Sequence, residues 1–95
     1  MRRTAFFVSD RTGITAEILG HSLLSQFEDV DFNRITLPFV DTVQKAEEVA
    51  LNIRRHAVVD GCRPLVFSTI VDPVLRKKIL VEDALTIDFL EKFIG

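Results

Sequence analysis

The run Ala5-Phe6-Phe7-Val8 constrains this chain more than any other stretch. Consecutive apolar residues, with two adjacent phenylalanines, leave a strand no polar face to turn toward water. Thr4–Val8 therefore reads as a strand covered on both sides, the situation of a central strand in a parallel sheet with helices above and below. Directly behind it stands Ser9-Asp10-Arg11-Thr12-Gly13-Ile14-Thr15, followed by a helical pattern from Ala16 to Phe27. A strand that ends in small polar residues and a glycine, then opens a helix, gathers unpaired N–H groups and the positive end of the helix dipole at one place. Gly13 lets the backbone approach a ligand closely or take positive φ. Thr12 and Thr15 supply hydroxyls, Arg11 a guanidinium, and Asp10 a carboxylate suited to a metal or a hydroxyl. A plain helix N-cap with a tight turn uses the same residue types, so this stretch alone leaves both readings open.

The same alternation continues along the chain. The first helix is expected to turn Leu19, Leu23 and Phe27 inward, with Ile14 and Ile18 beside them. Gly20 interrupts it at about 1 kcal/mol against alanine, either because a neighbour packs closely there or because the position tolerates it. Residues 28–31 read as a loop, and Ile35–Val40 as a second strand, which Pro38 places at a sheet edge or ends. Asp41 or Thr42 caps the second helix, Asp41-x-x-Gln44 resembling a capping box. Its apolar stripe is Ala46, Val49, Ala50, Ile53 and Ala57, and Gly61 ends it. Pro64–Ile70 reads as a third strand. Asp72-Pro73 is an N-cap followed by proline at the first helical position, opening a helix with Leu75, Ile79 and Leu80 inward and Arg76, Lys77 and Lys78 outward. Ala84–Ile87 reads as a short fourth strand and Asp88–Ile94 as a last helix. Strands alternating with helices predict an α/β domain spanning residues 1–95. Its small parallel sheet of three or four strands, in the order 2-1-3 or 2-1-3-4, is flanked by helices in three Rossmann-like layers.

In such sheets ligands sit outside the carboxyl ends of the strands. Those ends are polar here: Ser9-Asp10, Asp41 and Ser68-Thr69. Helix capping accounts equally well for Asp41 and Asp72, less well for the two hydroxyls of Ser68-Thr69. A net charge of -2 argues against a nucleic-acid partner held by charge. The single cysteine, Cys62, excludes an internal disulfide and reads as a small loop residue. No apolar run reaches the roughly 18 residues of a membrane span, and the run behind Arg2-Arg3 is too short for a secretory signal. A soluble, cytoplasmic protein is expected. His21 and His56 stand apart on separate helices, so no metal site is expected. There is no G-x-x-x-x-G-K-[ST] and no G-x-G-x-x-G.

The order of motifs carries more than any one of them. Phe7-Val8-Ser9-Asp10-x-Thr12-Gly13-Ile14-Thr15-Ala16-Glu17, Ser25-Gln26-Phe27, Leu37-Pro38-Phe39-Val40, Arg63-Pro64-Leu65-Val66-Phe67 and Ile70-Val71-Asp72-Pro73-x-x-Arg76 follow one another. Together they resemble the amino-terminal part of the bacterial and plant regulators of pyruvate, phosphate dikinase and phosphoenolpyruvate synthase. Leu-Pro-Phe-Val and Arg-Pro-Leu-Val-Phe resemble the phosphoenolpyruvate synthase branch most.

The resemblance implies a bifunctional parent protein. Such regulators phosphorylate a threonine of the target enzyme with ADP as donor, and remove that phosphate with inorganic phosphate, releasing pyrophosphate. The family's glycine-rich phosphate loop lies in the carboxyl-terminal part, which this chain is expected to lack, ending at Gly95. The implied partners are the target enzyme, the missing carboxyl-terminal kinase domain and a second copy in a homodimer. No cofactor is expected in this portion, and the resemblance assigns it no catalytic residue. The residues expected to bind phosphate or substrate are Ser9, Asp10, Arg11, Thr12, Gly13, Thr15, Ser68, Thr69, Asp72 and Arg76. The competing expectation is a non-catalytic docking or dimerisation module of the same regulator. A phosphoacceptor receiver domain is disfavoured, because the third strand ends in Ser68-Thr69 rather than an aspartate.

Overall fold

The computed structural model describes residues 2–27 and 29–89. Its strands are β1 (Arg2–Val8), β2 (Asp31–Leu37), β3 (Leu65–Ser68) and β4 (Leu85–Asp88), and its helices are α1 (Ile14–Leu24), α2 (Val43–Asp60) and α3 (Pro73–Ile79). All neighbouring strands pair in parallel, in the order β2-β1-β3-β4. The helices flank this sheet in the Rossmann-like α/β arrangement that the alternation predicts.

β1 is central, and Ala5, Phe6, Phe7 and Val8 are all buried. The period of two along a strand sends them to opposite faces. Phe6 and Val8 join Val66, Ala46, Ile53 and Leu75 in the core beneath α2 and α3. Ala5 and Phe7 join Leu65, Phe67, Ala16 and Leu24 beneath α1. Each large side chain so buried contributes about 1.5–3 kcal/mol of transfer free energy. β1 therefore anchors both layers, and the loop that leaves it is held from two sides.

β2 is an edge strand, and its pairing stops at Leu37, just ahead of Pro38. It begins at Asp31, four residues earlier than its apolar content suggests. Asp31, Asn33 and Arg34 are tolerated because an edge strand needs only part of its surface covered, while Phe32, Ile35 and Leu37 pack onto the two cores. β3 stops at Ser68, short of the expected Ile70. Asp88 is the last residue of β4 rather than the start of a helix, Phe89 follows it in a turn, and 90–94, the rest of the expected helix, lie outside the described residues.

α1 departs most from expectation. It begins directly after Gly13 and ends at Leu24, and its buried residues are Ala16, Gly20 and Leu24. Ile14, Ile18, Leu19, Leu23 and Phe27 face out. The cause lies in the sheet. Phe7 and Phe67 stack with ring centroids 5.7 Å apart and fill the space under the helix. A Cβ on Gly20 would lie 2.2 Å from Phe7 Cε1, so only a stripe of small side chains lets α1 approach. Gly20 marks a close approach, the first of its two sequence readings.

In α2 the cap is Thr42, whose hydroxyl accepts from the Lys45 N–H at 3.1 Å. Asp41 instead pairs with Lys45 Nζ at 2.9 Å, and that hydrogen bond holds its carboxyl below the ordinary aspartate value. Gly61 closes the helix in the left-handed region. Asp72 caps α3 through the N–H groups of Val74 and Leu75, with Pro73 at the first position. Leu75 and Ile79 are buried, but Leu80 is exposed, because α3 has already ended at Ile79. Arg76 turns partly inward and pairs with Asp88 at 2.6 Å. Among the described residues no helix is long and apolar enough to cross a membrane.

Candidate functional site

The carboxyl ends of β1 and β3 lie side by side, and the loop from Ser9 to Gly13 is secured to both neighbours. Toward β2, the Ser9 N–H donates to the Leu37 carbonyl at 3.2 Å, Val40 N–H to the Ser9 carbonyl at 2.9 Å, and Phe39 N–H to the Arg11 carbonyl at 2.8 Å. This last bond accompanies a positive φ of 58° at Phe39, the one non-glycine residue so strained among those described. Toward β3, Thr69 N–H donates to the Val8 carbonyl at 3.0 Å. Asp10 accepts from the Val71 N–H at 3.2 Å. The Ser9 hydroxyl accepts from the Arg11 N–H at 3.1 Å and tightens the turn.

Gly13 is the N-cap of α1, with φ 86°. A side chain here would be strained in conformation and would stand 3.0 Å from Thr36 Cγ2. Having none, Gly13 cannot cap the helix, and the first-turn N–H groups of α1 have no side-chain acceptor from it. In the same turn Glu17 accepts a hydrogen bond from the Thr36 hydroxyl. An open cavity of about 260 Å³ lies against this loop, lined by Ser9, Asp10, Arg11, Thr12, Gly13 and Thr15 and closed on the far side by Thr69 and Val71. Helix-terminal N–H groups, two threonine hydroxyls and a guanidinium around one cavity make an environment for an anion.

The remaining expected residues lie elsewhere. Ser68 and Thr69 are adjacent on a strand end, so their side chains leave opposite faces of the sheet. Ser68 is buried, accepts from the Ile70 N–H at 3.2 Å, and lines a second cavity of about 310 Å³ between α3 and β4. Arg76 lines that cavity too, with Lys77, Thr86 and Asp88. The Asp72 carboxylate is engaged as a helix cap. The structure thus brings seven of the ten expected residues to one cavity, and separates Ser68, Arg76 and Asp72 from it. Sequence reasoning overlooked Asp88 at the second cavity and Glu17, which meets Thr36 in the first turn of α1 without lining the Gly13 cavity. Glu17 follows Gly13 by one helical turn, a spacing that could have signalled it; nothing in the local pattern pairs Asp88 with Arg76. Among the described residues no group of three or more His, Cys, Asp and Glu side chains is arranged to hold a metal.

A glycine-opened helix at the carboxyl end of a central parallel strand defines an α/β domain whose ligand-binding end is set by topology. The chain belongs to the Kinase/pyrophosphorylase family, whose model matches residues 5–95. It is 56% identical over 95 residues to a protein of Laribacter hongkongensis, covering 99% of this chain and 35% of that one. It is 47% identical over 95 residues to one of Marinobacter nauticus, covering 100% of this chain and 35% of the other. It is 53% identical over 93 residues to one of Aromatoleum aromaticum, covering 98% and 34%. All three carry the assigned name of phosphoenolpyruvate synthase regulatory protein. The chain spans about a third of the length of these curated relatives. No solved structure is a significant match to it.

Proposed function

We propose that this chain is the amino-terminal part of a bifunctional cytoplasmic regulator of phosphoenolpyruvate synthase or pyruvate, phosphate dikinase. In one direction the longer protein transfers the terminal phosphoryl group of ADP to a threonine hydroxyl of the target, leaving AMP. In the other, inorganic phosphate attacks the phosphothreonine, restoring the hydroxyl and releasing pyrophosphate. Family membership together with the uncapped first turn of α1 at Gly13 carries this reading.

Phosphoryl transfer asks for donors wrapped around three equatorial oxygens that gather charge in the transition state. The α1 first-turn N–H groups, the Thr12 and Thr15 hydroxyls and Arg11 supply one half of such a shell. Asp10, fixed by the Val71 N–H, is set to hold the attacking or leaving hydroxyl in line. ADP and phosphate are substrates of the whole protein, and this portion carries no cofactor of its own. The second half of the shell comes from the carboxyl-terminal part, so residues 1–95 alone fold but transfer no phosphate.

The test is the full-length protein assayed in both directions on its target. Asp10→Ala and Thr12→Ala are expected to slow transfer by about a hundredfold, the scale of one lost transition-state contact, with the melting temperature unchanged within a few degrees. Loss of activity only in step with loss of folding would leave the loop a structural turn. The alternative of a docking or pairing module that touches no phosphate draws on the apolar outer side of α1; under it both variants keep full activity.

A further inference from the structure

The outer side of α1 is built like an interface. Ile14 is 58% exposed, Ile18 62%, Leu19 36%, Leu23 40% and, just past the helix, Phe27 54%. Between residues 14 and 27 the only titratable side chains are Glu17 and His21. Both turn toward β2, where Glu17 meets the Thr36 hydroxyl and His21 meets the Arg34 guanidinium. The rest of the outer face carries no charge. α2 shows what a solvent-facing helix of this protein looks like: Lys45, Glu47, Glu48, Arg54 and Arg55 are exposed along it, and its exposed Leu51, Val58 and Val59 stand among those charges.

The sheet adds a second observation. Among the described residues, its α2 side is covered by two helices, α2 and α3, and its α1 side by one. Four strands about 4.8 Å apart need more cover than one helix about 10 Å wide can give. α1 sits over β1 and β3, with Gly20 against Phe7 and Phe67. On its β4 flank Leu85 is exposed and Ile87 and Phe89 are only partly buried. Leu19 and Leu23 lie on the α1 flank opposite Glu17 and His21, and so look toward β4, which no described helix covers on this side. An apolar strip therefore runs from Ile18 and Leu23 on α1, past Phe89 stacked on Phe67, to Leu85 on β4.

We infer that this strip is an intramolecular docking surface, seated by an apolar-faced helix from the carboxyl-terminal part that the longer relatives possess. The relatives extend to about three times the matched length, which supplies the occupant, and a helix there would complete the second outer layer of the fold. The inference does not depend on the chemistry proposed above. Docking on α1 would also place the carboxyl-terminal part beside Ile14, which lines the Gly13 cavity.

The experiment compares this chain with the full-length Laribacter hongkongensis relative. Leu23→Cys, and Val58→Cys on α2 as control, are introduced separately in the chain and at the aligned positions of the relative. Maleimide labelling is timed by mass spectrometry of the peptide that carries each position. Position 23 should label at least about tenfold more slowly in the full-length protein, with position 58 equally fast in both. Amide hydrogen exchange of the unsubstituted proteins should show the same added protection over residues 18–24, which guards against a misfolded variant. Equal labelling and exchange in both proteins would overturn the inference, as would equal slowing at position 58. Protection already present in the 95-residue chain and growing with its concentration would assign the strip to a second copy and overturn it too.

Discussion

Gly20→Ala separates the observed seating of α1 from the one its large side chains suggest. In an exposed helix this change stabilises by about 1 kcal/mol through propensity. Here the new Cβ would lie 2.2 Å from Phe7 Cε1, 2.7 Å from Phe7 Cδ1 and 3.3 Å from Phe67 Cδ2. Phe7 cannot swing away, because it is buried between Phe67 at 5.7 Å and the His21 ring at 5.0 Å. Overpacking of a filled core costs about 1–3 kcal/mol, and an overlap this deep belongs at the upper end. The net destabilisation is about 2 kcal/mol, which lowers the melting temperature of a domain this size by roughly 10 °C. Thermal unfolding followed by circular dichroism measures it, with Leu23→Ala alongside. Leu23 is only partly covered, so its truncation should cost under about 1 kcal/mol, against about 2–5 for a core leucine. An unchanged or raised melting temperature for Gly20→Ala, with a large loss for Leu23→Ala, would mean that α1 turns its leucines inward and that the packing described is wrong.

Other perturbations test the remaining joints. Thr42→Ala should destabilise by about 1 kcal/mol through the lost cap, read by urea unfolding; equal effects of Thr42→Ala and Asp41→Ala would contradict the cap assignment. The Asp41 carboxyl should titrate below the ordinary 3.8 because Lys45 hydrogen-bonds its charged form. Its contribution is thus complete above 3.8 and lost as pH falls through the lower folded value; a midpoint at or above 3.8 by NMR, or no rise in Lys45→Ala, would refute the contact. Gly13→Ala should destabilise by about 1–3 kcal/mol from its left-handed backbone and the Thr36 contact; a stability gain by calorimetry would remove the argument for glycine at that turn.

Much of this architecture was readable because burial leaves a compositional mark. A strand covered on both faces has nowhere for a charge, so β1 and β3 announced themselves, and Pro38 announced the edge. Asp72-Pro73 and Gly61 mark helix ends by backbone chemistry that context does not alter. α1 was misread because a hydrophobic pattern reports which face avoids water, not which partner covers it. Leu19 and Leu23 have the spacing of a core stripe, yet the small stripe of Ala16 and Gly20 is the one the paired phenylalanines admit. Sequence order likewise placed Ser68 and Thr69 together, whereas the pleat sends one to each cavity. The Ser9–Gly13 turn could be located from its strand and glycine, but the bonds from Val71 and Phe39 that hold it come from distant segments.

Titrating this chain with inorganic phosphate and following backbone amides by NMR reads the proposed anion-binding role of the Ser9–Thr15 turn without any other part of the protein. Saturable shifts are expected at Gly13, Ile14, Thr15 and Ala16, absent in a chloride control and reduced in Thr12→Val. Shifts confined to Arg76, Lys77 and Lys78, or no saturable shift at the α1 N-terminus, would contradict it.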